Sequence, residues 1–244
     1  MVGYRVPLRA IDDKDWSGRY GYDSWFERTT ERSYIAGLDL GQANDPSALA
    51  IVEVLKQPDA KPGQRFHALE DMKFTSRLGL RHLERLPLRM PYPAQADYVT
   101  QLLHTAPLAG NTELVIDATA IGRPVSDIFK RVGRRPVNIT ITSGDGWSNV
   151  EGGFHVSKLI LISQLVHAVQ TGAIKFAAGI KDLPALVAEL KNFQIHYSAE
   201  GRASFGARVG RHDDLVLALA IACWYALHKY ANRVITKPLK GLVP

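Results

Sequence analysis

From Tyr34 onward the chain alternates short apolar runs with amphipathic stretches, and their order constrains the fold. YIAGLDLG (34–41) and SALAIVEVL (47–55) are apolar runs separated by QANDP (42–46). Asn, Asp and Pro supply turn chemistry there, so an antiparallel hairpin is predicted. A third strand is placed in RFHALEDMKFT (65–75). A proline-bounded helix is expected over 94–106, with Tyr98, Leu102 and Leu103 on its apolar face. TELVIDAT (112–119) is continuous in apolar residues, as buried parallel strands are. A helix follows over 124–132, where Pro124 suits a first turn. PVNITITSG (136–144) is rich in β-branched residues and reads as a strand. Leu159, Ile162, Leu165, Val166 and Val169 recur at helical spacing across 157–171, and Gly172 marks the end. A short strand at Ile174–Phe176, a helix over 183–191 and a hairpin over 193–208 come next, before a long apolar helix starting near Asp213. Residues 1–33 and 233–244 show no such periodicity, so they read as an extension and a tail around one domain, 34–232. Antiparallel strands followed by strands alternating with helices predict an α/β fold: a mixed central sheet flanked by helices, with an extra β-hairpin before the last helix.

Composition narrows the class. With 46% hydrophobic and 22% charged residues, the chain can bury a full core, which excludes disorder and disulfide scaffolds. Cys223 is the only cysteine, so an internal disulfide and a cysteine-based zinc cluster are both excluded. The start, MVGYRVPLRAIDDKDW, lacks the apolar core of a secretory signal. The run Leu215 to Leu227 is too short to span a bilayer. A soluble protein of a reducing compartment is expected, with no membrane partner. The formal charge of +6 suits a polyanionic partner, and the basic residues cluster in 77–89, in KRVGRR (130–135), and at Arg202, Arg208 and Arg211.

Acids in costly places point to chemistry. Asp39 lies inside an apolar strand, Asp117 ends another, and Asp213 with Asp214 opens the apolar last helix. An ionised carboxylate at the end of a buried strand needs a partner. Each has a structural reading as well: Asp213 or Asp214 as a helix N-cap, Asp39 as a turn residue before Gly41, Asp117 as a loop cap. Taken together they favour a site, because functional groups of open α/β sheets gather beyond the carboxyl ends of neighbouring strands. Three carboxylates can hold two divalent ions about 3.5–4 Å apart, an arrangement suited to in-line phosphodiester hydrolysis. Hard oxygen ligands favour Mg²⁺, with Mn²⁺ as a substitute.

The order of these acids resembles the ribonuclease H-like superfamily: GLDLG (37–41) in a first strand before a hairpin, LVIDAT (114–119) in a fourth strand, and HDDLVLALAIA (212–222) opening the last helix. Within it, IDATAIGRPVSDIF (116–129) and HDDLVLALA resemble the nuclease domain of large terminase subunits from tailed bacteriophages. The resemblance covers roughly residues 34–228. It implies that Asp39 and Asp117 are metal-binding catalytic acids, that Asp214 is the third with Asp213 assisting or capping, and that Lys158 stands near the metals. Where some relatives carry a further acid, this chain has Leu217. The resemblance also implies a metal-dependent endonuclease that cuts concatemeric viral DNA during genome packaging in the host cytoplasm. Its partners would be double-stranded DNA, a terminase ATPase domain, a small terminase subunit and a portal protein. No Gly-Lys pair occurs in the chain, so a Walker A motor is not expected on it, and a monomer is expected for the nuclease part alone. Arg202, Arg208 and Arg211 flank the hairpin and the last acids, and Lys130, Arg131, Arg134 and Arg135 follow the second acid by one helix. Backbone contacts from these residues would give salt-dependent, sequence-nonspecific binding.

Competing readings share parts of this pattern. A Holliday-junction resolvase would use the same acids on branched DNA. An actin- or sugar-kinase-like ATPase would explain GLDLG as a phosphate loop, but the second phosphate loop and adenosine site it needs are missing from the sequence. A DNA-binding scaffold with decayed chemistry fits poorly with acids at all three positions.

Overall fold

A computed structural model of the chain describes residues 31–41, 45–58, 74–119, 122–197, 203–207 and 213–230. Its core is an eight-stranded mixed sheet in the order β6-β7-β5-β4-β1-β2-β3-β8. The strands are β1 (Glu31–Asp39), β2 (Ala48–Pro58), β3 (Phe74–Arg85), β4 (Thr112–Asp117), β5 (Val137–Thr142), β6 (Trp147–Val150), β7 (Gly153–Ser157) and β8 (Ile174–Phe176). β1 and β2 form the expected antiparallel hairpin, while β4, β5 and β7 extend the sheet from β1 as parallel neighbours. The described residues also include the expected hairpin of β9 (Phe193–Tyr197) and β10 (Ala203–Ala207), which forms a separate two-stranded sheet.

Five helices accompany these strands among the described residues: α1 (Tyr92–Leu103), α2 (Gly122–Arg131), α3 (Lys158–Gln170), α4 (Leu183–Asn192) and α5 (Asp214–Tyr230). They divide between the two faces of the sheet, and strand pleating decides which residues each face receives. Tyr34, Ala36 and Leu38 of β1 join Leu114 and Ile116 of β4 in one core with Val99, Leu103, Val125 and Phe129 of α1 and α2. The odd-numbered residues point the other way. Ile35 and Val115 pack in a second core with Leu161 and Leu165 of α3 and almost all of α5. Asp39 and Asp117 continue this odd series, so the pleat aims both acids at the α3–α5 face.

Gly37 lets α5 settle against β1. A Cβ at that position would stand 2.2 Å from the carbonyl oxygen of Ala218 and 2.8 Å from the Cβ of Ala222. Only glycine permits the backbones to approach this closely, and the approach carries the start of α5 to the end of β1.

Three expectations change. The third strand runs over Phe74–Arg85 rather than 65–75. Its alternation lies in LGLRHL, between charges that made the segment look like a basic cluster. The hairpin of β6 and β7 was not anticipated, because β6 is only four residues long, WSNV, and exposed at all four positions. β1 already begins at Glu31, inside the segment read as an extension; residues 1–30 and the tail 233–244 lie outside the described residues. No described helix is long and apolar enough to cross a membrane.

Candidate active site

β1 and β4 run parallel in a register that pairs Leu38 with Ile116. One step further along each strand stand Asp39 and Asp117, neighbours close enough for each to shift the ionisation of the other. β7 ends at the same edge of the sheet and passes directly into α3, whose N-cap Ser157 accepts a hydrogen bond from the amide of Ile160 at 3.2 Å. That cap makes Lys158 the first helical residue, and its Nζ donates to Asp213 Oδ2 at 2.7 Å. Asp214 opens α5 beside it and is buried. The four acids and Lys158 that the sequence singled out therefore meet at one end of the sheet.

Electrostatics show the strain of this gathering. Burial holds Asp39 well above the ordinary carboxylate range, Asp117, Asp213 and Asp214 push it further, and Lys158 acts against them. Burial also raises Asp117, while bonds from Thr119 and the charge of Lys158 draw it down. Thr119 gives Asp117 Oδ1 two donors, its amide at 2.8 Å and its hydroxyl. The same hydroxyl oxygen accepts the amide of Ile141 on β5 at 2.7 Å.

A second group of residues, not anticipated from sequence, completes the site on the β3 side. Asp39 pairs with Ala48, and Ala48 with Arg85, so Arg85 lies in the same row as Asp39 two strands away, roughly 10 Å across the sheet. Its Nε donates to Asp214 Oδ2 at 2.7 Å and its Nη2 pairs with Glu189 Oε1, while its backbone amide donates to Asp182 Oδ2 at 3.2 Å. Glu189 also accepts the amide of Val216, in the first turn of α5, at 3.0 Å. Burial pushes Glu189 up to about 7, helped by Asp214 and opposed by the Val216 amide and Arg85. The only sequence signal for Arg85 was its place in a basic stretch, and Glu189 sat unremarked on the buried side of α4.

Protein-family models offer no match to the chain, and no curated protein matches it either. Solved structures do match. The large terminase nuclease from thermophilic phage G20c with bound magnesium superposes with a TM-score of 0.55 at 19% identity, over 84% of each chain. Its form with bound cobalt gives 0.55 at 19% identity, over 80% of this chain and 81% of that one. The Thermus phage P74-26 large terminase nuclease domain gives 0.54 at 19% identity, over 78% of each. The chain has the fold of a large terminase nuclease.

On this terminase-nuclease fold the basic residues expected to hold DNA fall into two sets. Lys130 and Arg131 are exposed at the far end of α2, about 12–14 Å along the helix from its start, Arg135 is exposed four residues beyond it, and Lys130 pairs with Asp127 at 2.9 Å. Arg134 differs: its Nε and one Nη are buried. Arg202, Arg208 and Arg211 lie outside the described residues.

As a home for cations, the site has the right chemistry: hard carboxylate oxygens, two of the carboxyl groups raised in pKa chiefly by burial, with Lys158 beside them. Among the described residues no three acidic, histidine or cysteine side chains converge into a ready-made cage. Asp213 and Asp214 are turned instead toward Lys158 and Arg85.

The sign of the pH dependence follows. A carboxyl raised in the folded state contributes stability that is full below its unfolded value, about pH 4, and is lost as pH rises through the folded value. Glu189 reaches that point at about 7. A divalent ion held by Asp39 and Asp117 would compete with protons there, so Mn²⁺ should raise the melting temperature by several degrees at about pH 8 and barely at about pH 5. Thermal melts in Mn²⁺ and in EDTA at both values check this; equal shifts would count against proton-competing ligands.

Proposed function

We propose that the chain is a metal-dependent DNA endonuclease, the nuclease part of a large terminase that cuts concatemeric viral DNA during genome packaging in the host cytoplasm. The observation that carries this reading is the meeting of Asp39, Asp117, Asp213, Asp214 and Lys158 at one end of a terminase-nuclease sheet. Asp39 and Asp117 would hold divalent ions together with the Asp213–Asp214 pair. Magnesium and cobalt in the G20c nuclease support a divalent cation, and we take Mg²⁺ or Mn²⁺, two ions, as the working set. When bound, such ions generate a nucleophilic water at neutral pH and stabilise the departing oxygen of an in-line displacement.

The remaining chemistry belongs to the chain's own side chains. The pleat aims Asp39 and Asp117 at the same face, so a phosphodiester approaching there meets both. Lys158 offsets part of the carboxylate charge and would donate to a phosphate oxygen drawn into the site. Lys130, Arg131 and Arg135, and from sequence alone Arg202, Arg208 and Arg211, would hold the DNA backbone, with Arg134 less available. Double-stranded DNA is the proposed substrate, and an ATPase motor, a small terminase subunit and a portal are the proposed partners.

Supercoiled plasmid incubated with the chain in Mn²⁺, Mg²⁺ or EDTA tests the reading. Conversion to nicked, linear and then fragmented DNA in either metal, with none in EDTA and none by Asp117→Asn, is the expected result. Cutting that persists in EDTA, or in Asp117→Asn at the parent rate, would overturn it.

A further inference from the structure

Asp117 differs from the other acids in how its carboxyl group is held. Asp213 and Asp214 rest on cationic side chains, whereas one oxygen of Asp117 is committed to a single neighbouring residue. Thr119 donates to Oδ1 twice, from its amide at 2.8 Å and from its hydroxyl. The direction of the hydroxyl bond is fixed by its other partner. The amide of Ile141 can only donate, and it reaches the Thr119 oxygen at 2.7 Å, so the hydroxyl proton must turn to the carboxylate. The β4–β5 ladder pairs Asp117 with Ile139, and the amide of Ala118 donates to the carbonyl of Ile139 at 2.8 Å. Past that point β4 has ended, and Thr119 supplies the acceptor that the strand no longer can. The carboxylate is thus fastened through one side chain to the end of β5 as well as to its own strand.

We propose that Thr119 is a positioning residue for the nuclease: its hydroxyl occupies Oδ1 of Asp117 and presents Oδ2 as the oxygen offered to a divalent cation. This rests on the reading of Asp117 as a metal ligand. Partners of ligating carboxylates orient them, and losing one typically weakens metal binding about 10–100-fold. The Thr119 amide bond survives any side-chain change, so the lower end applies here. Thr119 is exposed, and its replacement opens no cavity in either core.

Mn²⁺ titration of the full chain by calorimetry, without DNA, tests the assignment with Thr119→Val, Thr119→Ser and Asp117→Asn beside the parent. Thr119→Val keeps the shape and removes the hydroxyl; it should weaken Mn²⁺ binding about tenfold while lowering the melting temperature only slightly, since both lost hydrogen bonds are exposed. Thr119→Ser keeps the hydroxyl and should bind within about twofold of the parent, while Asp117→Asn should lose the site. Parent-like binding by Thr119→Val beside a dead Asp117→Asn would overturn the role of Thr119 alone. Equal weakening by the Val and Ser variants would do the same, because the Ser variant keeps the hydroxyl and should then have kept the binding. Undiminished binding by Asp117→Asn would overturn the metal reading of that acid, and the role of Thr119 with it.

Discussion

Asp39→Asn should cut plasmid DNA at least about a thousandfold more slowly than the parent chain, on the order of 4 kcal/mol of lost barrier reduction. It should nevertheless melt no lower in EDTA. The two halves of this expectation have one cause. Burial and three neighbouring acids hold Asp39 well above the ordinary carboxylate range, so ionising it works against the fold. Asparagine keeps the size, removes the ionisable group and keeps an amide that can donate toward Asp117. A residue kept for stability would show the reverse, a lower melting temperature with rate in proportion. Cleavage time courses in Mn²⁺ paired with melts in EDTA separate the cases. Near-parent cutting by Asp39→Asn would remove it from the catalytic acids, and a large drop in melting temperature would recast it as structural.

The same carboxylates explain why so much of this site was legible in sequence. An acid inside YIAGLDLG or at the end of TELVIDAT interrupts an apolar run, and burial makes that interruption costly unless the acid has work to do. The pleat then places both on one face, because β1 and β4 are parallel and in register. Helices with clean 3.6-residue spacing, such as α3, were equally visible. What escaped has a physical reason in each case. β6 is a four-residue edge strand exposed at every position, and its tie to the last helix, the edge-to-face contact of Trp147 with Trp224, joins residues far apart in sequence. β3 hides its alternation behind Arg77, Arg81 and Arg85, whose charges dominate the local composition. Arg85 and Glu189 act through a contact that joins residues 104 positions apart, and no local pattern encodes such a pairing. Thr119 sits two residues after Asp117 and looked like the end of a strand, yet its importance arises from Ile141 on the neighbouring one.

Arg85→Ala carries the largest expected cost in stability. The guanidinium is the counter-charge to Asp214 and Glu189, whose side chains are only 6% and 7% exposed, while the Arg85 side chain itself is 31% exposed. Removing one member of a buried ion pair leaves charge that the interior solvates poorly, typically at about 3–5 kcal/mol. The partial exposure of Arg85 places this case near 3 kcal/mol, because water can enter the space the side chain leaves. The loss falls on the first turn of α5, which Glu189 also anchors through the amide of Val216. Arg85→Lys restores charge but not the fork that spans two carboxylates, so it should recover only part of the deficit. Glu189→Gln in the Arg85→Ala background should recover more, since it removes one of the two stranded charges and can keep a carbonyl oxygen for Val216. Denaturant unfolding of the four chains measures this directly. A double variant no more stable than Arg85→Ala would show that Glu189 is not the group Arg85 neutralises, and the anchor of α5 would then rest on Asp214 alone.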